Sequence, residues 1–126
     1  DEIGLAGGGD PDNRRLMPWN DADLLPGQLA LRSHLSRLAN IRAEHKALSR
    51  GSRQTLAVDA DSWVYRSSCQ DERFEDLIVA INRSDAPRSD LGIPPGRYLN
   101  LLTDEDVTEN TSLPPRSMLI LKRLQE

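Results

Sequence analysis

At Gly51 the spacing of apolar residues changes, and this constrains the fold more than any other feature of the chain. Upstream, Leu31, Leu35, Leu38, Ile41, His45 and Leu48 recur every three or four residues between Gln28 and Leu48, while Arg32, Arg37, Arg42, Glu44 and Lys46 fill other positions. That period puts the first set on one stripe of an amphipathic helix, with Gly51 as its stop signal. Downstream the period falls to two, or to short apolar runs: "RQTLAV", "SWVYRS", "DLIVAI", "RYLNLL" and "SMLILKRL", separated by Asp-, Ser-, Pro- and Gly-rich turns. Strands this short and this closely spaced predict an antiparallel sheet or small sandwich, with "VDADSW" at residues 58–63 as its clearest hairpin. No alternation of strand and helix follows residue 51, which excludes a parallel sheet there.

Before the helix lies a different kind of sequence. Residues 1–27 carry Gly7, Gly8, Gly9, Pro11, Pro18, Pro26 and Gly27, which interrupt every period, so the segment reads as loop. A loop this long is uncommon in a compact domain unless it is functional or disordered. The chain of 126 residues has room for one ordinary domain, or a small domain and a piece of another. The expected division is a loop and helix over 1–50 and a β-sandwich of Greek-key type over 51–126. With two Trp, two Tyr and one Phe, the core must rest on Leu, Ile and Val.

Charge and composition narrow the partners. A net charge of -4 with both signs interspersed provides no basic field for nucleic acid or an anionic membrane. No apolar run approaches the roughly 20 residues that span a bilayer, so the reading is of a soluble chain. The lone Cys69 allows no intrachain disulfide and no multi-cysteine metal site, and it favours a reducing, cytoplasmic setting. No metal or cofactor is expected. His34 and His45 lack a third ligand at metal spacing, and Asp10, Asp12 and Asn13 are followed by Arg14 where a calcium loop needs an oxygen ligand. The glycine run lacks the Lys-Ser/Thr pair of a phosphate loop. Ser52, Ser62 and Ser67 lie in strand contexts without a nucleophile elbow. Two glycosylation sequons, at Asn82 and Asn110, matter only on a glycosylating secretory route.

What remains is Asp10 with Arg14, Arg15 and Trp19. A carboxylate and a guanidinium on a glycine-positioned loop can clamp sugar hydroxyls, with the aromatic stacking on a pyranose face. The same residues also suit a local ion pair that pins a long loop, and spacing alone favours that simpler role.

The segment "DEIGLAGGGDPDNRRLMPW" resembles the loop after the eighth barrel strand of the α-amylase family of glycoside hydrolases (family 13), in its neopullulanase, cyclomaltodextrinase and oligo-glucosidase-like branches. "LSRLANIRAEHKALSRG" is similar to the family's last barrel helix. "WVYRSSCQDERFEDLIVAINRSD" and "LPPRSMLIL" resemble strands of its C-terminal β domain. The resemblance covers essentially the whole chain, with one departure at Leu16, where the family has Pro.

The resemblance implies that Asp10 and Arg14 contact glucose units on the non-reducing side of the cleavage point. It implies that Glu2 ends a barrel strand in a structural role. Retaining glycosidases place two carboxylates about 5 Å apart across the scissile bond. In this family those groups sit on earlier barrel strands, so no residue here is expected to be catalytic. The chain is then the C-terminal piece of an enzyme acting on α-glucan or malto-oligosaccharide, with the missing barrel domain as its natural partner. Without that partner, Leu31, Leu35 and Leu38 would form an exposed stripe favouring self-association through the helix. The alternative is a free-standing carbohydrate-binding or interaction module, in which Trp63, Tyr65, Phe74 and Tyr98 are the available aromatics; strand alternation makes these partly core.

Overall fold

The computed structural model describes residues 2–70 and 75–124; Phe74 lies outside the described residues. The chain divides into two compact units, Asp1–Asn40 and Ile41–Glu126.

In the first unit, residues 4–19 follow an irregular path as far as a single 3-10 turn at Asp21–Asp23. Asn20 caps that turn, its side-chain oxygen accepting the Ala22 N–H at 3.1 Å. Helix α1 (Pro26–Glu44) begins with proline, whose fixed φ and missing N–H suit the first helical position. Gln28 reaches back to accept the Leu25 N–H at 3.0 Å. Arg32 on α1 pairs with Asp21 at 2.7 Å. Gly4, at φ +57°, lies so close to Leu31 that an added Cβ would stand 3.4 Å from its side chain. Leu31, Leu35 and Leu38 are half-buried, and the widely exposed apolar side chains of this unit are Leu16, Trp19 and Leu25.

The last turn of α1, from Ile41, belongs to the second unit. The expected continuous helix to Leu48 is interrupted there. His45 leaves the helical conformation (φ -106°, ψ 103°), and a five-residue helix α2 (Lys46–Arg50) follows it. Its ring Nδ1 lies 2.7 Å from Glu75 Oε1. A partner 30 residues away thus accompanies the break, in a stretch without proline or glycine.

Six strands follow: β1 (Ser52–Val58), β2 (Ser62–Ser68), β3 (Leu77–Asn82), β4 (Arg97–Asn100), β5 (Glu105–Thr108) and β6 (Ser117–Arg123). They form one antiparallel sheet in the order β1-β2-β3-β6-β4-β5, bearing out the mainly-β, antiparallel reading. The last strand returns to lie between β3 and β4. The hairpin at 58–63 forms as expected, with the Asp59 carboxylate accepting the N–H groups of Asp61 and Ser62, both at 2.8 Å. β5 was not expected, because Glu105-Asp-Val-Thr holds one apolar residue. The run "RYLNLL" divides instead at Asn100, whose Oδ1 accepts the Leu102 N–H at 3.2 Å and turns the chain back.

One face of the sheet carries the core. Val64, Ile78, Ala80, Tyr98, Leu119 and Leu121 point to it, and Leu91, Ile93 and Leu113 from the connecting loops close over it. Those loops are joined by a reciprocal bridge in which Arg88 and Leu113 exchange N–H···O bonds of 2.8 Å. Burying each such leucine removes enough apolar area to contribute about 2 kcal/mol. The other face buries Ser67, Leu77, Val79 and Ile120. There the Ser67 hydroxyl donates to the Ala47 carbonyl of α2 at 2.7 Å.

Candidate functional site

The glycines of the opening loop serve close approach. An added Cβ on Gly7 would lie 3.0 Å from Asn13 Cα, so a side chain at residue 7 would crowd the backbone where the chain folds back. Two turns follow, Asp12 N–H to the Gly9 carbonyl at 2.8 Å and Arg14 N–H to the Pro11 carbonyl at 3.0 Å. They bring the loop's acidic and basic residues together. Arg14 Nε sits 2.7 Å from Asp10 Oδ1, and Arg15 forks onto Asp12 with NH2 at 2.9 Å from both carboxylate oxygens. Asp12 also accepts the Gly8 N–H at 2.7 Å. That backbone donor, and then the Arg15 guanidinium, hold its carboxyl below the ordinary carboxylate range.

The structure therefore pairs Asp10 with Arg14, as the spacing implied, but gives Arg15 to Asp12, which the sequence reading had weighed only as a calcium ligand. Spacing alone gave no signal for this second pair, because the three-residue rule belongs to helices and residues 12–15 lie outside any helix. The two pairs differ in what they leave available. Asp12 is committed to Gly8 and Arg15. Asp10 and Arg14 meet through a single N–O approach, and their side chains remain 61% and 75% exposed. A guanidinium carries five N–H donors and a carboxylate about four acceptor positions, so this pair can still donate to and accept from a polyhydroxylated ligand. Trp19, farther along the loop, is 84% exposed.

Elsewhere the singled-out residues have other surroundings. His34 is exposed, and His45 is half-buried on Glu75. Cys69 is a half-buried free thiol. Asn82 is 2% exposed and wholly engaged in hydrogen bonds, whereas Asn110 is exposed in a turn. Among the described residues, no group of three or more His, Cys, Asp or Glu side chains converges to hold a metal, and no helix is long and apolar enough to cross a membrane.

The fold of this chain recurs within solved α-amylases. The sequence makes this specific. Over 129 residues the chain is 32% identical to a cyclomaltodextrinase of Geobacillus thermopakistaniensis, covering 95% of this chain and 21% of that protein. It is 37% identical over 94 residues to an amylopullulanase of Thermoanaerobacter thermohydrosulfuricus, covering 68% of this chain and 6% of the relative. In structure it matches the α-amylase of Geobacillus thermoleovorans, solved with acarbose, at a TM-score of 0.76 and 25% identity over 99% of this chain and 28% of the other. No family model matches the chain. These relatives are α-amylase-family glycoside hydrolases, and the chain is homologous to the C-terminal region of that family.

Proposed function

We propose that the chain is the C-terminal part of a retaining α-amylase-family enzyme that acts on α-glucan, and that by itself it does not catalyse. In this reading residues 1–50 supply the last loop and helix of the catalytic barrel, and residues 51–126 form a β domain with a structural role. Asp10 and Arg14 contact glucose units of the substrate. The observation that carries the reading is the alignment of 95% of the chain, opening loop included, with a cyclomaltodextrinase of which it spans 21%. The exposed hydrogen-bonding capacity of the Asp10–Arg14 pair is the geometric support.

The test is incubation of the purified chain with maltotriose and with a nitrophenyl maltoside. The reading expects no turnover, and turnover that survives purification would overturn the non-catalytic role. The same reading has two copies associating through α1 in solution. Light scattering that finds one copy at every concentration would refute that part.

A further inference from the structure

The sheet face that packs on α2 changes character along its length. By the two-residue alternation of a strand, Asp61, Trp63, Tyr65 and Ser67 share this face, opposite Arg83, Ile81, Val79 and Leu77 on the neighbouring strand. Ser67, Leu77 and Val79 are buried. Tyr65, Trp63 and Ile81 are half-buried, and Val58, the cross-strand neighbour of Trp63, is 67% exposed.

The indole of Trp63 is held in place. Its Nε1–H donates to Thr55 Oγ1 at 3.1 Å, and one side of the ring meets Tyr65 with centroids 4.5 Å apart and planes tilted by 37°. On the next rung, Arg83 Nε stands 3.4 Å from Asp61 Oδ1, with side chains 75% and 45% exposed. This is a longer contact than the forked Arg15–Asp12 pair, so both groups keep unused donors and acceptors.

We infer that Trp63 and the Asp61–Arg83 pair form a surface binding site for an α-glucan chain, separate from the Asp10–Arg14 loop. A glucosyl ring stacks on the indole side not taken by Tyr65, and its hydroxyls bond the Asp61 carboxylate and the Arg83 guanidinium. The chemistry selects the occupant. Asp61 precedes Trp63 by two residues, a backbone spacing of about 6.6 Å in extended chain, comparable to the width of one sugar ring. A pyranose presents an apolar C–H face and a rim of hydroxyls, matching a plane beside a donor–acceptor pair. The choice of α-glucan among saccharides rests on the function proposed above.

Trp19 and Trp63 are the only two tryptophans, so emission from W19F reports Trp63 alone and emission from W63F reports Trp19 alone. Titration of W19F with maltoheptaose is expected to give a saturable change in emission. In W19F/D61N/R83Q, the affinity is expected to weaken about fivefold, the equivalent of roughly one net hydrogen bond. The D61N and R83Q changes lie at exposed positions, and circular dichroism checks that each variant is folded. A response from W63F with silence from W19F overturns the surface site and leaves the loop reading standing. Silence from both overturns both. An unchanged affinity in W19F/D61N/R83Q removes the ion pair from the site, and an equal response of W19F to cellohexaose overturns the α-glucan assignment.

Discussion

Replacing Asn82 by Asp keeps the shape of a buried side chain and removes its donor, so the cost isolates the hydrogen bonds. Asn82 is 2% exposed at the end of β3. Its Nδ2 donates to the carbonyls of Ala86 at 2.8 Å and Pro114 at 2.9 Å, with a longer approach of 3.4 Å to that of Leu113. Its Oδ1 accepts the Ser84 N–H at 2.9 Å and the Ser84 hydroxyl at 2.7 Å. One side chain thus joins β3 to two loops. In Asn82→Asp the two shorter bonds disappear at about 1 kcal/mol each, and carbonyls left facing a carboxylate add about 1–3 kcal/mol. The expected loss is therefore about 3–5 kcal/mol at neutral pH, a fall in Tm on the order of 10–15 °C for a chain of this size. The deficit should shrink in acid, because a protonated Asp regains one O–H donor. Urea and thermal unfolding followed by circular dichroism measure it, and a neutral-pH loss below about 1 kcal/mol would refute the reasoning.

Four further outcomes are expected. In Gly51→Ala the new Cβ is directed at the Ala47 carbonyl oxygen and lies 2.8 Å from that of Ser68, so a loss of about 1–3 kcal/mol should appear in urea unfolding. Gly27→Ala, in the first turn of α1 with nothing within 4 Å of its Cβ, should be neutral or stabilising by up to about 1 kcal/mol in the same measurement. Partial burial tends to raise the Glu75 pKa, but the Lys122 ammonium at 2.7 Å and His45 outweigh it, leaving the carboxyl below its ordinary value of 4.5. A lowered folded pKa contributes stability that is present above 4.5 and lost as pH falls through the folded value. Because the Glu75 side chain is 39% exposed, solvent screens its ion pairs and the contribution is at most about 1 kcal/mol. Glu75→Gln should therefore be less stable than the parent at pH 7 and converge with it as pH falls below the lowered folded value. Asp10→Ala should weaken malto-oligosaccharide binding while leaving Tm within about 2 °C, since an ion pair this exposed contributes little to stability.

The parts of the fold that were legible are those in which side-chain period and burial agree. β3, with Ile78 and Ala80 facing the core and Leu77 and Val79 facing the other side, reads as a continuous apolar run because both faces are covered. The body of α1 from Gln28 was legible from its apolar spacing, while Pro26 and Gly27, assigned to the loop, form its first turn. The interruption of the helix was not legible, because His45 is an ordinary residue and its partner Glu75 is distant in sequence. Gly51 was expected as a stop signal, and it occupies that place for a different reason. Its φ of -73° is open to any residue, and glycine is required by the closeness of two carbonyl groups. In the candidate site, the Asp10–Arg14 pair was readable from spacing. The assignment of Arg15 to Asp12 was missed because it depends on the fold-back at Gly7 and Gly8. β5 was hidden by its composition, since its place is fixed by pairing with β4 and a single half-buried Val107.

The central claim is that this chain performs the C-terminal part of an α-glucan-acting enzyme, with Asp10 and Arg14 facing the substrate. A chimera tests it most directly: the chain replaces the matching segment of the Geobacillus thermopakistaniensis cyclomaltodextrinase, and cyclomaltodextrin hydrolysis is measured with and without Asp10→Ala. The account expects an active chimera whose kcat/KM falls about tenfold or more in the Asp10→Ala form, the loss of a hydrogen bond to a charged group. A folded chimera without activity, or one indifferent to Asp10→Ala, would contradict it.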